Sequence, residues 1–131
     1  VELRLDTADL QPGAVRRQVA RFLEQDASED SDFAAAELII GELLGNVIRH
    51  APGPIRVRAE WEGPEAKLVV EDSGRGFSLP QPPAGRAQQS GRGLALVQAF
   101  ARSLLVRYEP GRGTTVEVVL PLERSKPPAR E

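Results

Sequence analysis

Four short stretches of this chain combine residue types that do chemistry rather than fill a core. The first is Glu42-Leu-Leu-Gly45-Asn46-Val-Ile-Arg49-His50. Around it Leu38, Ile39, Ile40, Leu43, Leu44, Val47, Ile48 and Ala51 are apolar. They leave Glu42, Gly45, Asn46, Arg49 and His50 as one polar strip at helical spacings i, i+3, i+4, i+7 and i+8. A helix this apolar belongs inside a domain, where a carboxylate and an amide lose water and need partners or a task. Gly45 sits mid-helix, where glycine costs ~1 kcal/mol relative to alanine and lets another group approach the backbone. The same pattern also suits a core helix with one solvent-facing stripe.

The second stretch is Asp72-Ser-Gly74-Arg-Gly76-Phe77. Asp72 shares the parity of Leu68 and Val70, which points its carboxylate inward at the end of a strand. A carboxylate at the bottom of an apolar cleft accepts a hydrogen bond from a ligand N–H, and the glycines let the chain bend tightly beside that ligand. Asp and Gly are also ordinary turn formers. The third stretch, Ser90-Gly91-Arg92-Gly93-Leu94, opens a helix. Free N–H groups at a helix start bind anions and the glycines admit a phosphate, although a flexible helix start reads the same way. The fourth, Gly111-Arg112-Gly113-Thr114, taken alone is a hairpin turn.

The elements that position these stretches follow from periodicity. Val1–Leu5 alternates and reads as a short edge strand. A helix begins near Pro12 and runs to about Glu24 with Val15, Val19, Phe22 and Leu23 as its apolar stripe, with Arg16, Arg17 and Arg21 off it. Those arginines suit a solvated face or a dock for an acidic partner. The central helix is expected over Asp32–Ala51, with Asp30, Ser31 and Asp32 as cap types ahead of it and Pro52-Gly53 closing it. Ile55–Trp61 puts Ile55, Val57, Ala59 and Trp61 on one side and Arg56, Arg58 and Glu60 on the other. Gly63-Pro64 turns it into a strand at Lys67–Asp72, giving a hairpin. The Pro-, Gly- and Gln-rich stretch Phe77–Ser90 reads as a mobile loop. A helix over Gly91–Ser103 with Leu94, Val97 and Ala101 on one face, and strands at Leu104–Tyr108 and Thr114–Leu120, complete the pattern.

Arg56, Arg58, Glu60, Arg107, Thr115 and Glu117 make one side of the sheet polar, so helices are needed only on the other. The expected fold is α+β: a two-layer sandwich with a mixed, mostly antiparallel sheet of about five strands and about three helices on one face. One domain is expected over residues 1–122, with a disordered, charged and Pro-rich tail over 123–131.

Composition narrows the function. At 131 residues the chain suits a single core. A net charge of −2 gives no electrostatic case for nucleic acid or an anionic membrane. With no cysteine and one histidine, disulfides, thiolate metal sites, thiol nucleophiles and histidine-rich zinc sites are excluded. No apolar run or signal peptide suggests a membrane, so a soluble, cytoplasmic protein is expected.

The order and spacing of the four stretches together resemble the ATP-binding fold shared by gyrase, Hsp90, histidine kinases and MutL (the GHKL or Bergerat fold). Glu42-x-x-x-Asn46 matches the N box, Asp72-x-Gly74-x-Gly76 and Gly91-x-Gly93-Leu94 the two glycine boxes, and Gly113-Thr114 the terminal motif. Within that superfamily the chain is most similar to the small anti-sigma factor and serine-kinase group. Its size, its Pro-x-x-Val start and its Gly-Arg-Gly-Leu-Ala-Leu-Val run point there.

The resemblance implies ATP and Mg²⁺ as cofactors. It implies that Glu42 is the general base, that Asn46 ligates Mg²⁺, and that Asp72 accepts from the adenine amino group with Thr114 helping through water. Gly74 and Gly76 would let adenine approach. Gly91 and Gly93, with Arg92 and Leu94 in the same turn, would hold the phosphates, and Arg49 and His50 would face phosphate or the metal's waters. His50 alternatively serves as a helix-end cation. The implied activity is a serine/threonine kinase acting on an anti-anti-sigma (STAS-type) protein and sequestering a sigma factor, with a homodimer formed through the Val1–Leu5 edge. The alternatives are an ATP-binding regulatory module without kinase activity, and the ATP-binding domain of a larger sensor kinase or phosphatase fusion.

Overall fold

The computed structural model describes residues 1–50, 53–72, 92–110 and 113–125. In chain order these form β1 (Glu2–Asp6), α1 (Pro12–Glu24), α2 (Phe33–His50), β2 (Pro54–Glu62), β3 (Glu65–Asp72), α3 (Arg92–Phe100), β4 (Ser103–Glu109) and β5 (Gly113–Val119). The strands make one five-stranded sheet in the order β1-β2-β3-β5-β4, and every neighbouring pair is antiparallel.

The helices start where local chemistry lets them. Proline opens α1, where its missing N–H would have had no intrahelical partner in any case. Asp32 caps α2, its Oδ1 accepting from Ala35 N at 3.1 Å. The pairing of β1 with β2 continues one residue past Asp6 and Pro54: Thr7 Oγ1 accepts from Gly53 N at 2.8 Å, and Thr7 N donates to Gly53 O at 2.9 Å. Gly53 has φ 125°, a conformation that only glycine adopts without strain.

Val19 and Leu23 of α1 pack with Ile39, Ile40, Leu43 and Leu44 of α2 against Val57, Ala59, Leu68, Val70 and Val118 of the sheet. This apolar layer is what holds α2 over the sheet. Burying a leucine or isoleucine side chain contributes about 1.5–3 kcal/mol. The opposite face of the sheet is wet and carries ion pairs. Arg56 pairs with Glu71 at 2.6 Å, and Lys67 lies between Glu62 (2.8 Å) and Glu117 (3.0 Å). Hydrogen bonds to Glu62 and then Glu117 raise the Lys67 ammonium above its ordinary range.

Four expectations are corrected. Leu38 is 40 % exposed rather than part of the core, because it stands one turn before Glu42 and so extends the polar strip. The α3 helix ends at Phe100, not Ser103: Arg102 N donates to Val119 O at 2.8 Å, which draws the chain into the sheet. The edge strand runs Glu2–Asp6, with the Val1 amine donating to Ala59 O at 2.7 Å.

The tail is also anchored further than expected. Ser28 N donates to Glu123 O and Ser125 N to Asp26 O, each at 2.7 Å. Arg102 pairs with Glu123, and the Arg124 guanidinium lies 5.5 Å from the Trp61 ring centroid. Residues 123–125 therefore belong to the folded unit. The loop at Phe77–Ser90, the Pro52 stop and residues 126–131 of the expected tail lie outside the described residues. Among the described residues, no helix is long and apolar enough to cross a membrane.

Candidate nucleotide site

Two groups of residues are brought together, one on α2 and one at the ends of β3 and β5. On α2, Glu42, Asn46 and His50 are half-buried and Arg49 is exposed. They share one face, while Ile39, Ile40, Leu43, Leu44 and Val47 face the core. The strip follows from the sequence alone, since filling the core-facing positions with Leu, Ile and Val fixes the rotation of the helix. One contact was not anticipated: Arg49 Nη2 donates to Asn46 Oδ1 at 2.9 Å. Its signal in the sequence was the i, i+3 spacing of the two residues with a glycine at position 45.

At the sheet, the β3–β5 register pairs Glu71 with Thr115 and Val70 with Val116, which sets Asp72 beside Thr114. Thr114 N donates to Asp72 Oδ1 at 3.2 Å, so the carboxylate is held at the strand end by the neighbouring backbone. Asp72 is half-buried. Thr114 Oγ1 is buried and has no hydrogen-bond partner among the described residues. A buried hydroxyl without a partner costs free energy, and here it stands next to an oriented carboxylate.

These features fit a nucleotide. Asp72 and Thr114 together offer a carboxylate acceptor and an unsatisfied hydroxyl, the groups that a purine's exocyclic amine and an associated water would use. Asn46 offers a neutral, hard oxygen suited to Mg²⁺, an ion that keeps several waters and is completed by phosphate oxygens. No cluster of three acidic or histidine side chains that would hold a metal occurs among the described residues, so a metal here would depend on those phosphates. Arg92, Gly93 and Leu94 open α3, which packs on α2 and β4. Gly74, Gly76 and Gly91 lie outside the described residues.

One further contact escaped the sequence. Arg16 of α1 reaches over α2 at Gly41: a Cβ there would stand 3.6 Å from Arg16 Nη1. Arg16 Nε is buried with no hydrogen-bond partner among the described residues. Neither α1 nor α2 shows this alone, because it depends on how the two helices cross.

The histidine kinase-like ATPase domain matches this chain over residues 5–120. The chain belongs to that family. Among members of this ATPase family, the histidine protein kinase DivJ of Caulobacter vibrioides is 33 % identical over 111 residues, covering 71 % of this chain and 19 % of DivJ. The anti-sigma F factor of Pasteuria penetrans is 24 % identical over 139 residues, covering 96 % of this chain and 93 % of that protein. The anti-sigma F factor of Shouchella clausii is 28 % identical over 123 residues, covering 85 % and 84 %. The chain therefore spans about a fifth of the length of DivJ but most of the anti-sigma F factors.

Two solved structures share the fold of this ATPase domain. The histidine kinase domain of the Erythrobacter litoralis EL346 blue-light activated histidine kinase superposes with a TM-score of 0.51 at 23 % identity, covering 86 % of this chain and 66 % of that one. Full-length ShkA in complex with AMPPNP gives 0.56 at 21 % identity, covering 92 % and 32 %.

Proposed function

We propose that this GHKL domain is an ATP- and Mg²⁺-dependent serine/threonine protein kinase of the anti-sigma factor type. In this reading it phosphorylates an anti-anti-sigma (STAS-type) protein and sequesters a sigma factor in the cytoplasm. The observation that carries the reading is Glu42, a half-buried carboxylate one helical turn from Asn46 on the polar strip of α2. A clamp that merely changes shape with nucleotide could do without a carboxylate there. The extent of the match to the two anti-sigma F factors supports the same reading.

In this reading Asp72 accepts from the adenine amino group and the Thr114 hydroxyl takes a bridging water. Gly74 and Gly76 leave room for the ring. Gly91 and Gly93, with Arg92 and Leu94, bind the phosphates at the start of α3. Asn46 would ligate Mg²⁺, and Arg49 and His50 would lie toward the phosphates or the metal. ATP would supply the γ-phosphoryl group, and a bound Mg²⁺ would offset its charge. Glu42 takes the proton of the incoming serine hydroxyl as that oxygen bonds to phosphorus and ADP leaves. A homodimer is part of the proposal.

A second reading is favoured by one comparison: DivJ is 33 % identical to this chain, which spans only 19 % of it. In that case the chain is the ATP-binding domain of a larger sensor kinase. The test is capture of partners from the source cell with ATP·Mg²⁺ and then with ADP, followed by mapping of phosphorylated residues. Acid-stable phosphoserine or phosphothreonine on a captured small protein supports the anti-sigma reading, and acid-labile phosphohistidine supports the sensor. Nucleotide-dependent release without transfer would leave a regulatory module.

A further inference from the structure

Asn46 Oδ1 is the atom on which metal loading depends in the reading above, and it already holds a cation. Arg49 Nη2 donates to it at 2.9 Å. The arginine gets there by folding back along α2 over residue 45. A Cβ added at Gly45 would stand 3.2 Å from Arg49 Nη1 and 3.9 Å from both Cζ and Nη2. Glycine is a poor helix residue, and α2 holds two, Gly41 and Gly45, in a helix otherwise of Phe, Ala, Leu, Ile and Val with its polar strip. The missing side chain at 45 leaves room for a flat guanidinium to lie against the helix beside Asn46, where a Cβ would press on its Nη1.

The chemistry of the contact is specific. A guanidinium only donates, so it selects the amide oxygen of Asn46 and turns the NH₂ group away. That is the orientation a metal ligand needs. Two cations on one amide oxygen repel each other, so Arg49 and a divalent ion exchange rather than coexist there. No acidic cluster among the described residues offers a bare ion another foothold. A bare ion therefore competes with a tethered guanidinium for one neutral oxygen, whereas a metal arriving on a nucleotide brings phosphate charge that draws Arg49 off.

We propose that Arg49, seated on Gly45, is a positioning residue that stands in for the metal on Asn46 in the nucleotide-free protein and is displaced when metal and nucleotide load together. The proposal rests on the reading of Asn46 as the metal ligand. In it, Arg49 keeps the ligand oriented and makes loading depend on the nucleotide rather than on free Mg²⁺.

The experiment follows the side-chain resonances of Asn46 and Arg49 in the full chain by nuclear magnetic resonance, with Mn²⁺ as a broadening probe. In the wild type, Mg²⁺ alone leaves both resonances in place and Mg²⁺·AMPPNP moves both. Arg49→Met keeps the aliphatic stem, so the fold is retained. It shifts the Asn46 carboxamide in the free protein, and Mn²⁺ alone then broadens it at about two- to fivefold lower concentration, the scale of an exposed charged contact. Gly45→Leu, which fills the seat while leaving Arg49 in place, reproduces both effects. If Arg49→Met leaves the free Asn46 resonance and its Mn²⁺ titration unchanged, the proposal is overturned and the metal reading stands. If Mn²⁺·AMPPNP never broadens Asn46 in the wild type, the metal reading fails and takes the proposal with it, even where the free-state shift is seen.

Discussion

Thr114→Val separates a site residue from a structural one because its two effects have opposite signs. The Thr114 hydroxyl is buried and without a partner among the described residues, and from protein mutational data such a group costs about 1–3 kcal/mol. Valine removes that cost, keeps the shape and suits a strand. The bond that orients Asp72 comes from the Thr114 backbone N–H at 3.2 Å and survives the change. Taking the low end of the range, stability rises by about 1 kcal/mol and Tm by about 3–5 °C for a domain of this size. ATP affinity moves the other way, because the hydroxyl's bond in the bound state is lost. One hydrogen bond, direct or through water, is worth about 0.5–1.5 kcal/mol, so Kd rises about two- to tenfold. The assay is thermal denaturation beside calorimetry with ATP·Mg²⁺. Thr115→Val, one residue on and facing the wet side of the sheet, is the control, with unchanged affinity. A Thr114→Val protein that is less stable and binds ATP as tightly as the wild type would refute the reasoning.

Asp72→Asn should weaken ATP binding by about 1–3 kcal/mol, because the amide matches the adenine amine poorly; calorimetry reads this directly. Removing residues 123–131 should destabilise the domain by about 1–3 kcal/mol, since the Glu123 and Ser125 bonds to the α1–α2 loop and the Arg124–Trp61 contact go with them. Denaturant unfolding gives that magnitude, and a shift in Trp61 fluorescence reports the lost cation. Leu44→Ala, at 1 % exposure in the centre of α2, should cost about 2–5 kcal/mol by the same unfolding measurement.

Much of the fold was legible because its signals are local. Ile55, Val57 and Ala59 alternate with Arg56 and Arg58, and the structure buries the first set and leaves the second partly exposed. Pro12 and Asp32 marked helix starts that the structure keeps. What was not legible depends on contacts between distant segments. The end of α3 is set by Arg102 N on Val119 O, and the anchored residues 123–125 by bonds to Asp26 and Ser28. Leu38 is apolar by type, but its position one turn before Glu42 puts it on the exposed strip.

The site was legible in its residue types but not in its pairings. The inward parity of Asp72 and the polar strip of α2 both follow from periodicity. The orphaned Thr114 hydroxyl depends on the β3–β5 register, and the seat of Arg49 on Gly45 on side-chain geometry.

Whether the α2 strip performs chemistry is read from ATP·Mg²⁺ affinity beside single-turnover phosphorylation of the captured partner, for wild type and Glu42→Gln. The glutamine keeps the shape and removes the base. The variant should bind nucleotide within a few-fold of wild type and transfer phosphate more slowly by ~10²–10⁴. Transfer by Glu42→Gln at the wild-type rate, with nucleotide bound equally well, would contradict it.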